Sequence, residues 1–274
     1  MKKILFGLVG FLILISMGGL AFIQLKDSKN PPKEEEPGLQ EDYLYHFPQI
    51  APAEAYTIIL VGDSMTKALG PNTDSLREYL SSYYPNKVFG IFNYGIGSTN
   101  ILSLQERLEN YTFEQEQVYP PILEREFDLI IIESFGHNPL SQFPLEEGLK
   151  KQTEALDRAV ESLMTTHPKS GIVFLATIAP SKSTYGQGAV ELAGEQRQKW
   201  AEERIAYIEN YIGYANSHNI PLINVYQASL NILGEVKIAY VNSDDNIHPS
   251  GQGIDLISRE IADFIFENHL LILK

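Results

Sequence analysis

The sequence lacks cysteine altogether and has a single tryptophan among its 274 residues. Without cysteine there is no disulfide bond, no thiolate nucleophile and no thiolate metal ligand. Basic residues are also scarce, with 21 Lys and Arg against 35 Asp and Glu and a formal net charge of -14. Phosphate backbones repel a chain this acidic, so we expect no nucleic-acid partner.

Metal- and cofactor-binding patterns are missing as well. No group of His, Asp and Glu has the spacing of a metal site, so no metal is predicted. The loop after the first apolar run of the soluble part has neither a Gly-x-Gly-x-x-Gly pattern nor a P-loop lysine, so no nucleotide or other cofactor is predicted. The remaining composition, 44% hydrophobic and 20% charged, is typical of a folded globular protein.

The N-terminal 25 residues contain one long uncharged run, residues 4–25, preceded by Lys2 and Lys3. Crossing a bilayer takes roughly 20 residues, so residues 1–25 are predicted to form a transmembrane signal anchor. Gly19 and Ala21 leave a cleaved signal peptide as the alternative, in which case the protein is secreted. Because the lysines favour a cytoplasmic N-terminus, we expect a single-pass protein of the cell membrane with the rest of the chain outside the cytoplasm.

Residues 26–55 have the composition of a linker. They contain Pro31-Pro32 and an acidic run at residues 33–37, and they show neither a helical nor a strand period. We predict a disordered tether over this segment. Residues 56–274 are predicted to form a single folded domain.

The predicted domain alternates short apolar runs with longer amphipathic stretches. The runs cover residues 56–61, 88–93, 128–133, 171–176 and 221–225, and the main helix candidates cover 146–166, 191–217 and 250–268. Continuous apolar runs are typical of strands buried on both faces, as in parallel sheets. The pattern predicts an α/β fold with three layers, α/β/α, around a central parallel sheet of about five strands.

Polar residues and glycine follow these runs at the positions where strands would end. Ser64 and Gly97 come shortly after the first and second runs, Asn138 comes after the third, and Asp245 and His248 lie between the fifth run and the last helix. Ligands of open parallel sheets bind beyond the carboxyl ends of the strands. We therefore expect these five residues to converge on one edge of the sheet.

Three of these residue types form a set known from acyl transfer. A serine hydroxyl is a poor nucleophile until a base takes its proton, and His248 is the predicted base for Ser64. Asp245, three residues before the histidine, can accept the other ring N–H and stabilise the imidazolium. The predicted catalytic residues are therefore Ser64, Asp245 and His248.

Four sequence blocks together resemble the SGNH (GDSL-type) hydrolase superfamily. The blocks are Ile59-Leu60-Val61-Gly62-Asp63-Ser64, Asn93-Tyr94-Gly95-Ile96-Gly97-Ser98-Thr99, Ile130-Ile131-Ile132-Glu133-Ser134-Phe135-Gly136-His137-Asn138 and Asp245-Asn246-Ile247-His248-Pro249-Ser250-Gly251. The resemblance covers about residues 56–274 and implies a flavodoxin-like fold. It also implies an oxyanion hole made of the backbone N–H groups of Ser64 and Gly97 and the side-chain amide of Asn138.

One position departs from the family pattern. The third block usually reads Gly-x-Asn-Asp, and here Pro139 replaces the final acid, which is expected to alter the loop beyond the site. Asp63 is expected to be a structural hydrogen-bonding group. His137 has no acid at the spacing of a base, so it is not the predicted base.

The resemblance implies a serine esterase that hydrolyses an O-acyl ester on a small molecule, a glycan or a lipid, and the predicted N-terminal anchor would tether it to the membrane. Two alternatives remain open from the sequence. The same residues could transfer an acyl group to a cell-surface glycan, or the domain could be a binding module without catalysis. The membrane contact in each case is the N-terminal helix.

Overall fold

The computed structural model describes residues 43–272. Within them lie seven strands: β1 Ala55–Gly62, β2 Val88–Gly95, β3 Thr112–Glu114, β4 Gln117–Tyr119, β5 Leu129–Glu133, β6 Gly171–Ala176 and β7 Leu222–Asn224. The same part of the chain has seven α-helices: α1 Ser64–Lys67, α2 Asp74–Tyr83, α3 Leu104–Glu109, α4 Leu145–Thr166, α5 Gly194–Ser217, α6 Val225–Ser229 and α7 Gly251–Glu267.

Five of the strands form one parallel sheet in the order β2-β1-β5-β6-β7. Counted along the parallel strands alone, this order is 2-1-3-4-5, the flavodoxin-like arrangement. All five apolar runs are strands of this sheet, and α4, α5 and α7 occupy the three predicted helical segments. The predicted fold class is confirmed.

The two faces of the sheet bury alternate side chains of each strand. In β1, Ile58 and Leu60 belong to the core under α2 and α7, whereas Ile59 and Val61 belong to the core under α3, α4 and α5. Because both faces are covered by helices, every position of β5 and β6 and most of β1 are buried, which explains the continuous apolar runs in the sequence.

The folded body begins earlier than the predicted boundary at residue 56. Tyr45 and Ile50 are buried in the core although they fall within the segment predicted as a tether. The Tyr45 hydroxyl accepts a hydrogen bond from Ile172 N–H of β6 at 2.8 Å, and its backbone N–H donates to the His218 carbonyl at 2.8 Å. Isolated aromatic and aliphatic residues without a period carry no sequence signal for this packing.

The predicted anchor at residues 1–25 and the tether over residues 26–42 lie outside the described part of the chain. Between residues 43 and 272, no helix combines the length and hydrophobicity that a bilayer crossing needs.

A small antiparallel hairpin, β3–β4, lies outside the main sheet and was not predicted. Phe113 pairs with Val118 across the hairpin, and both side chains are exposed. Glu114, at the end of β3, is half-buried and turns toward the predicted site. Each strand has only three residues, too few for the alternation of polar and apolar residues to be recognised.

Candidate active site

The turn from β1 into α1 carries Ser64. Asp63 directly precedes it and accepts a hydrogen bond from Met65 N–H at 2.7 Å through Oδ1, which caps the first turn of α1. A Cβ on Gly95 of β2 would lie 2.2 Å from the Lys67 backbone nitrogen. Glycine at this position therefore allows the turn that carries Ser64 to pack directly on the neighbouring strand.

Asp245 and His248 form a hydrogen-bonded pair in the loop before α7. Asp245 Oδ2 lies 2.7 Å from His248 Nδ1, and its Oδ1 accepts hydrogen bonds from the backbone N–H groups of Ile247 at 2.8 Å and His248 at 3.0 Å. A carboxylate can only accept, so Nδ1 carries the hydrogen and the lone pair of the neutral ring is on Nε2. Asn246 has a φ of 54°, a conformation that asparagine tolerates better than most residues.

The environment of Asp245 favours its ionised form. Partial burial opposes ionisation, but the hydrogen bonds from the His248 ring and from two backbone N–H groups outweigh it and lower the pKa of Asp245. The stability that these contacts supply is therefore present above the ordinary pKa of aspartate, and it is lost as the pH falls through the lowered value.

Asn138 is held in place by Asp63. Its Nδ2 donates to Asp63 Oδ2 at 2.7 Å, and its backbone N–H closes a turn on the Phe135 carbonyl at 3.0 Å. A primary amide has two N–H donors, so one of them is left for another acceptor. The expected structural role of Asp63 agrees with these contacts, because the carboxylate orients both the turn after β1 and the Asn138 amide.

Gly97, by contrast, does not present an open N–H group. Its N–H donates to Glu114 Oε1 at 3.1 Å, and the same oxygen lies 2.8 Å from Lys67 Nζ. A carboxylate oxygen thus accepts from the N–H group that was expected to face the oxyanion. Because the hairpin that supplies Glu114 was not predicted, this contact could not be anticipated from the sequence.

A buried charged residue, Arg107, packs against the end of β1 next to the turn that carries Ser64, and the sequence did not predict it. The Arg107 guanidinium donates to the carbonyls of Gly62 at 2.6 Å and Tyr94 at 3.0 Å, which are near the ends of β1 and β2. It also contacts Thr99 Oγ1 and donates to Ser103 Oγ at 3.1 Å. Arg107 therefore satisfies backbone carbonyls at the edge of the sheet where the predicted site lies.

Two buried carboxyl groups lie close to Arg107. Asp63 N–H donates to Glu133 Oε2 at 3.3 Å, and Glu133 Oε1 accepts hydrogen bonds from the Ser134 hydroxyl and from Phe135 N–H. Burial, and then the neighbouring Asp63 charge, raise the pKa of Glu133 well above its ordinary value, and burial raises the pKa of Asp63. Burial lowers the pKa of Arg107 to about 10, so it keeps its charge near neutral pH.

His137 is a buried structural residue. Arg204 Nε donates to the Tyr185 hydroxyl at 2.8 Å, that hydroxyl lies 3.1 Å from His137 Nδ1, and His137 Nε2 donates to the Ile178 carbonyl at 3.0 Å. Both ring nitrogens are therefore occupied. Burial lowers the pKa of His137 to about 4, so the ring is neutral near pH 7.

Contacts through the loop after β6 connect the two halves of the site. Gly186 N–H donates to the Asn246 carbonyl at 3.2 Å, and Asn246 Nδ2 donates to the Gln187 carbonyl at 2.8 Å. The preceding residue, Tyr185, contacts His137, which is next to Asn138 in the third block.

Between residues 43 and 272, no hydrogen bond joins Ser64 Oγ to His248. Such bonds often form only when substrate is bound.

No group of three or more His, Asp or Glu residues in the described chain could hold a metal ion. Pro139 follows the Phe135–Asn138 turn and leads into the segment before α4, where Leu140 is buried.

The chain resembles known proteins in its sequence pattern and in its fold. The sequence model of a family described as GDSL-like lipase/acylhydrolase matches residues 58–261. No curated protein matches the sequence.

Solved structures share the fold at low sequence identity. A lipase/acylhydrolase from Enterococcus faecalis is 16% identical, with a TM-score of 0.55 over 78% of this chain and 96% of its own. An acetylxylan esterase from Geobacillus stearothermophilus is 17% identical, with a TM-score of 0.55 over 79% of this chain and 96% of its own. A putative lipolytic protein of the G-D-S-L family from Desulfitobacterium hafniense is 16% identical, with a TM-score of 0.53 over 76% and 99% of the two chains.

Proposed function

The chain belongs to the GDSL-like lipase/acylhydrolase family and is an ester hydrolase, and from this premise we propose that it is a serine esterase that cleaves an O-acyl ester with Ser64, His248 and Asp245. The observation that carries the proposal is the 2.7 Å hydrogen bond between Asp245 Oδ2 and His248 Nδ1. It leaves the Nε2 lone pair of the imidazole as the proton acceptor that an activated serine requires.

The proposed reaction has two steps. Ser64 Oγ attacks the ester carbonyl while its proton passes to His248 Nε2, and the imidazolium then protonates the departing alcohol, which leaves an acyl-serine. A water molecule next attacks the acyl carbonyl, giving its proton to His248, and the acid departs as the proton returns to Ser64. Asp245 stabilises the imidazolium in both steps.

Asn138 is the best-supported donor for the oxyanion of each tetrahedral intermediate. Its orientation by Asp63 at 2.7 Å supports this role, because the donor is fixed before the charge develops. Gly97 N–H can take part only after Glu114 leaves it. The proposed catalytic cycle therefore includes displacement of the Glu114 carboxylate by the substrate.

Truncating Glu114 is expected to raise activity. Glu114→Ala removes both the hydrogen bond to Gly97 and the ion pair with Lys67, which together are worth about 1 kcal/mol. We expect kcat/KM on 4-nitrophenyl acetate to rise roughly fivefold. The matched control is Glu116→Ala, at an exposed position of the same hairpin, which should leave kcat/KM unchanged. Activity of Glu114→Ala at or below that of the control would show that Glu114 does not compete with substrate.

The proposal extends to location and substrate class. Lys2, Lys3 and the apolar residues 4–25 support a membrane anchor with the catalytic domain outside the cytoplasm. For a catalytic domain outside the cytoplasm, we propose that the substrate is an acylated glycan. An acetylxylan esterase shares the fold and supports an acetyl ester on a sugar as one candidate, and the lipase/acylhydrolase and lipolytic protein that share it equally leave a lipid ester as the second.

Covalent labelling tests the proposed nucleophile directly. A fluorophosphonate forms a stable bond with a serine only when a neighbouring base activates the hydroxyl. We expect stoichiometric labelling, with the adduct mapped to Ser64 by peptide mass spectrometry, and no labelling of Ser64→Ala. A well-folded protein that is not labelled, or is labelled at another serine, would contradict the proposal.

A further inference from the structure

A cavity of about 380 Å³ is lined by Lys67, three residues after the proposed nucleophile Ser64, and has no role in the reaction described above. It is bounded by the end of α1, by the last part of β2, by β4 of the hairpin and by the segment before β5. Side chains that matter for its chemistry are Lys67, Phe92, Tyr94, Gln117 and Arg125.

The charge of this cavity is opposite to that of the chain. Two of its lining residues, Lys67 and Arg125, are cationic and none is an Asp or Glu, although the whole chain has 35 acidic and 21 basic residues. Lys67 is paired with Glu114 at the rim. Arg125 makes no ion pair within residues 43–272, and its buried Nε has no hydrogen-bond partner there. An unpaired guanidinium attracts an anion into this space.

Aromatic rings hold the Arg125 side chain. Its guanidinium carbon lies 4.5 Å from the centroid of the Phe92 ring and 5.8 Å from that of Tyr94. Cation–π contacts occupy the faces of the planar group and leave its N–H edges for other partners. Those edges match the two oxygens of a carboxylate.

Two residues that line the cavity are close along the chain to residues of the proposed site. Lys67 is the last residue of α1, which begins with Ser64, so the two are one helical turn apart. Gly95 also lines the cavity and precedes Gly97 by two residues. A group bound here would therefore lie next to an ester at Ser64.

We propose that this cavity binds a carboxylate-bearing sugar unit of a glycan whose neighbouring unit carries the ester. The inference rests on the proposed function, since it names the glycan that the same site would act on. The volume is within the range of small-molecule pockets and accommodates one sugar ring. The Phe92 and Tyr94 rings give a sugar apolar surface, and the exposed Gln117 amide can donate to a hydroxyl or carboxylate.

A matched pair of substrates tests the proposal. One is an O-acetylated oligogalacturonide, and the other is the same oligosaccharide with its carboxylates converted to primary amides. We expect the wild-type kcat/KM to be about 10- to 100-fold higher on the acid than on the amide, the factor typical of a charge-assisted hydrogen bond. Arg125→Gln should reduce this ratio to near one, and Arg125→Lys should retain part of it.

The control variant is Arg158→Gln, which makes the same change of charge at a position of α4 outside the cavity and should keep the wild-type ratio. Melting temperatures of all variants establish that they are folded. Free D-glucuronate should inhibit hydrolysis of the acidic substrate by the wild type more strongly than glucose does.

Several results would overturn the inference. These are a wild-type ratio near one, an Arg125→Gln ratio equal to that of the wild type, or stronger inhibition by glycerol 3-phosphate than by glucuronate, which would indicate a phospholipid headgroup instead. The proposed function is tested separately by 4-nitrophenyl acetate. Ser64-dependent hydrolysis of that ester together with a ratio near one contradicts the cavity assignment alone, whereas no Ser64-dependent hydrolysis of any ester contradicts the proposed function.

Discussion

Replacing Ser64 with alanine is expected to lower kcat on 4-nitrophenyl acetate by about 10⁵- to 10⁶-fold, the loss typical of removing a serine nucleophile. Without the hydroxyl there is no acyl-enzyme, and the remaining rate comes from oxyanion stabilisation and substrate binding alone. Initial rates at saturating substrate measure the change, with enzyme concentrations high enough to detect the residual rate.

The control for this experiment is Ser81→Ala, a serine at an exposed position of α2, which should keep the wild-type kcat. The melting temperature of Ser64→Ala should stay close to that of the wild type, because Ser64 makes no side-chain hydrogen bond within the described residues. If Ser64→Ala kept more than a few per cent of the wild-type kcat, another nucleophile would be responsible.

Asp245→Asn is expected to lower kcat by about 10⁴-fold, the effect known for the equivalent change in serine proteases. The introduced side-chain amide could donate to His248 Nδ1 and would then stabilise the tautomer with its hydrogen on Nε2, which cannot accept the Ser64 proton. The backbone hydrogen bonds to Oδ1 can persist, so the loop should keep its conformation.

Asp244→Asn supplies a matched comparison for Asp245. It makes the same chemical change at the neighbouring, exposed residue and should leave kcat within about twofold of the wild type, as is usual for a surface substitution. Equal losses in the two variants would mean that the loop depends on overall negative charge rather than on the Asp245–His248 pair.

Much of the fold could be predicted because the sheet is buried on both faces. That burial makes each central strand an unbroken apolar run, and the five runs coincide with the five parallel strands. The packing of residues 43–55 against the domain was not predicted, because it depends on single contacts, such as that of Tyr45 with β6, and not on a repeating sequence pattern.

Site residues that are close to each other in the sequence could be predicted, whereas contacts between distant parts of the chain could not. Asp245 and His248 are three residues apart, so their spacing alone indicated a pair, and the structure places their side chains in contact. Glu114 reaches Gly97 from a hairpin that is too short to recognise. Arg107 lies in a helix where an arginine normally faces solvent, and only the tertiary structure reveals its burial against the Gly62 carbonyl.

The contact between Glu114 and Gly97 also affects how the enzyme would respond to its own product. Ester hydrolysis releases a carboxylic acid, and Glu114 presents the same functional group to Gly97 N–H. A tethered carboxylate has an effective concentration in roughly the millimolar range or above, so free acid must compete with it for that N–H group. Glu114 thus makes the contact that the released acid would make, and its roughly 1 kcal/mol of interaction would weaken binding of that acid at Gly97 about fivefold.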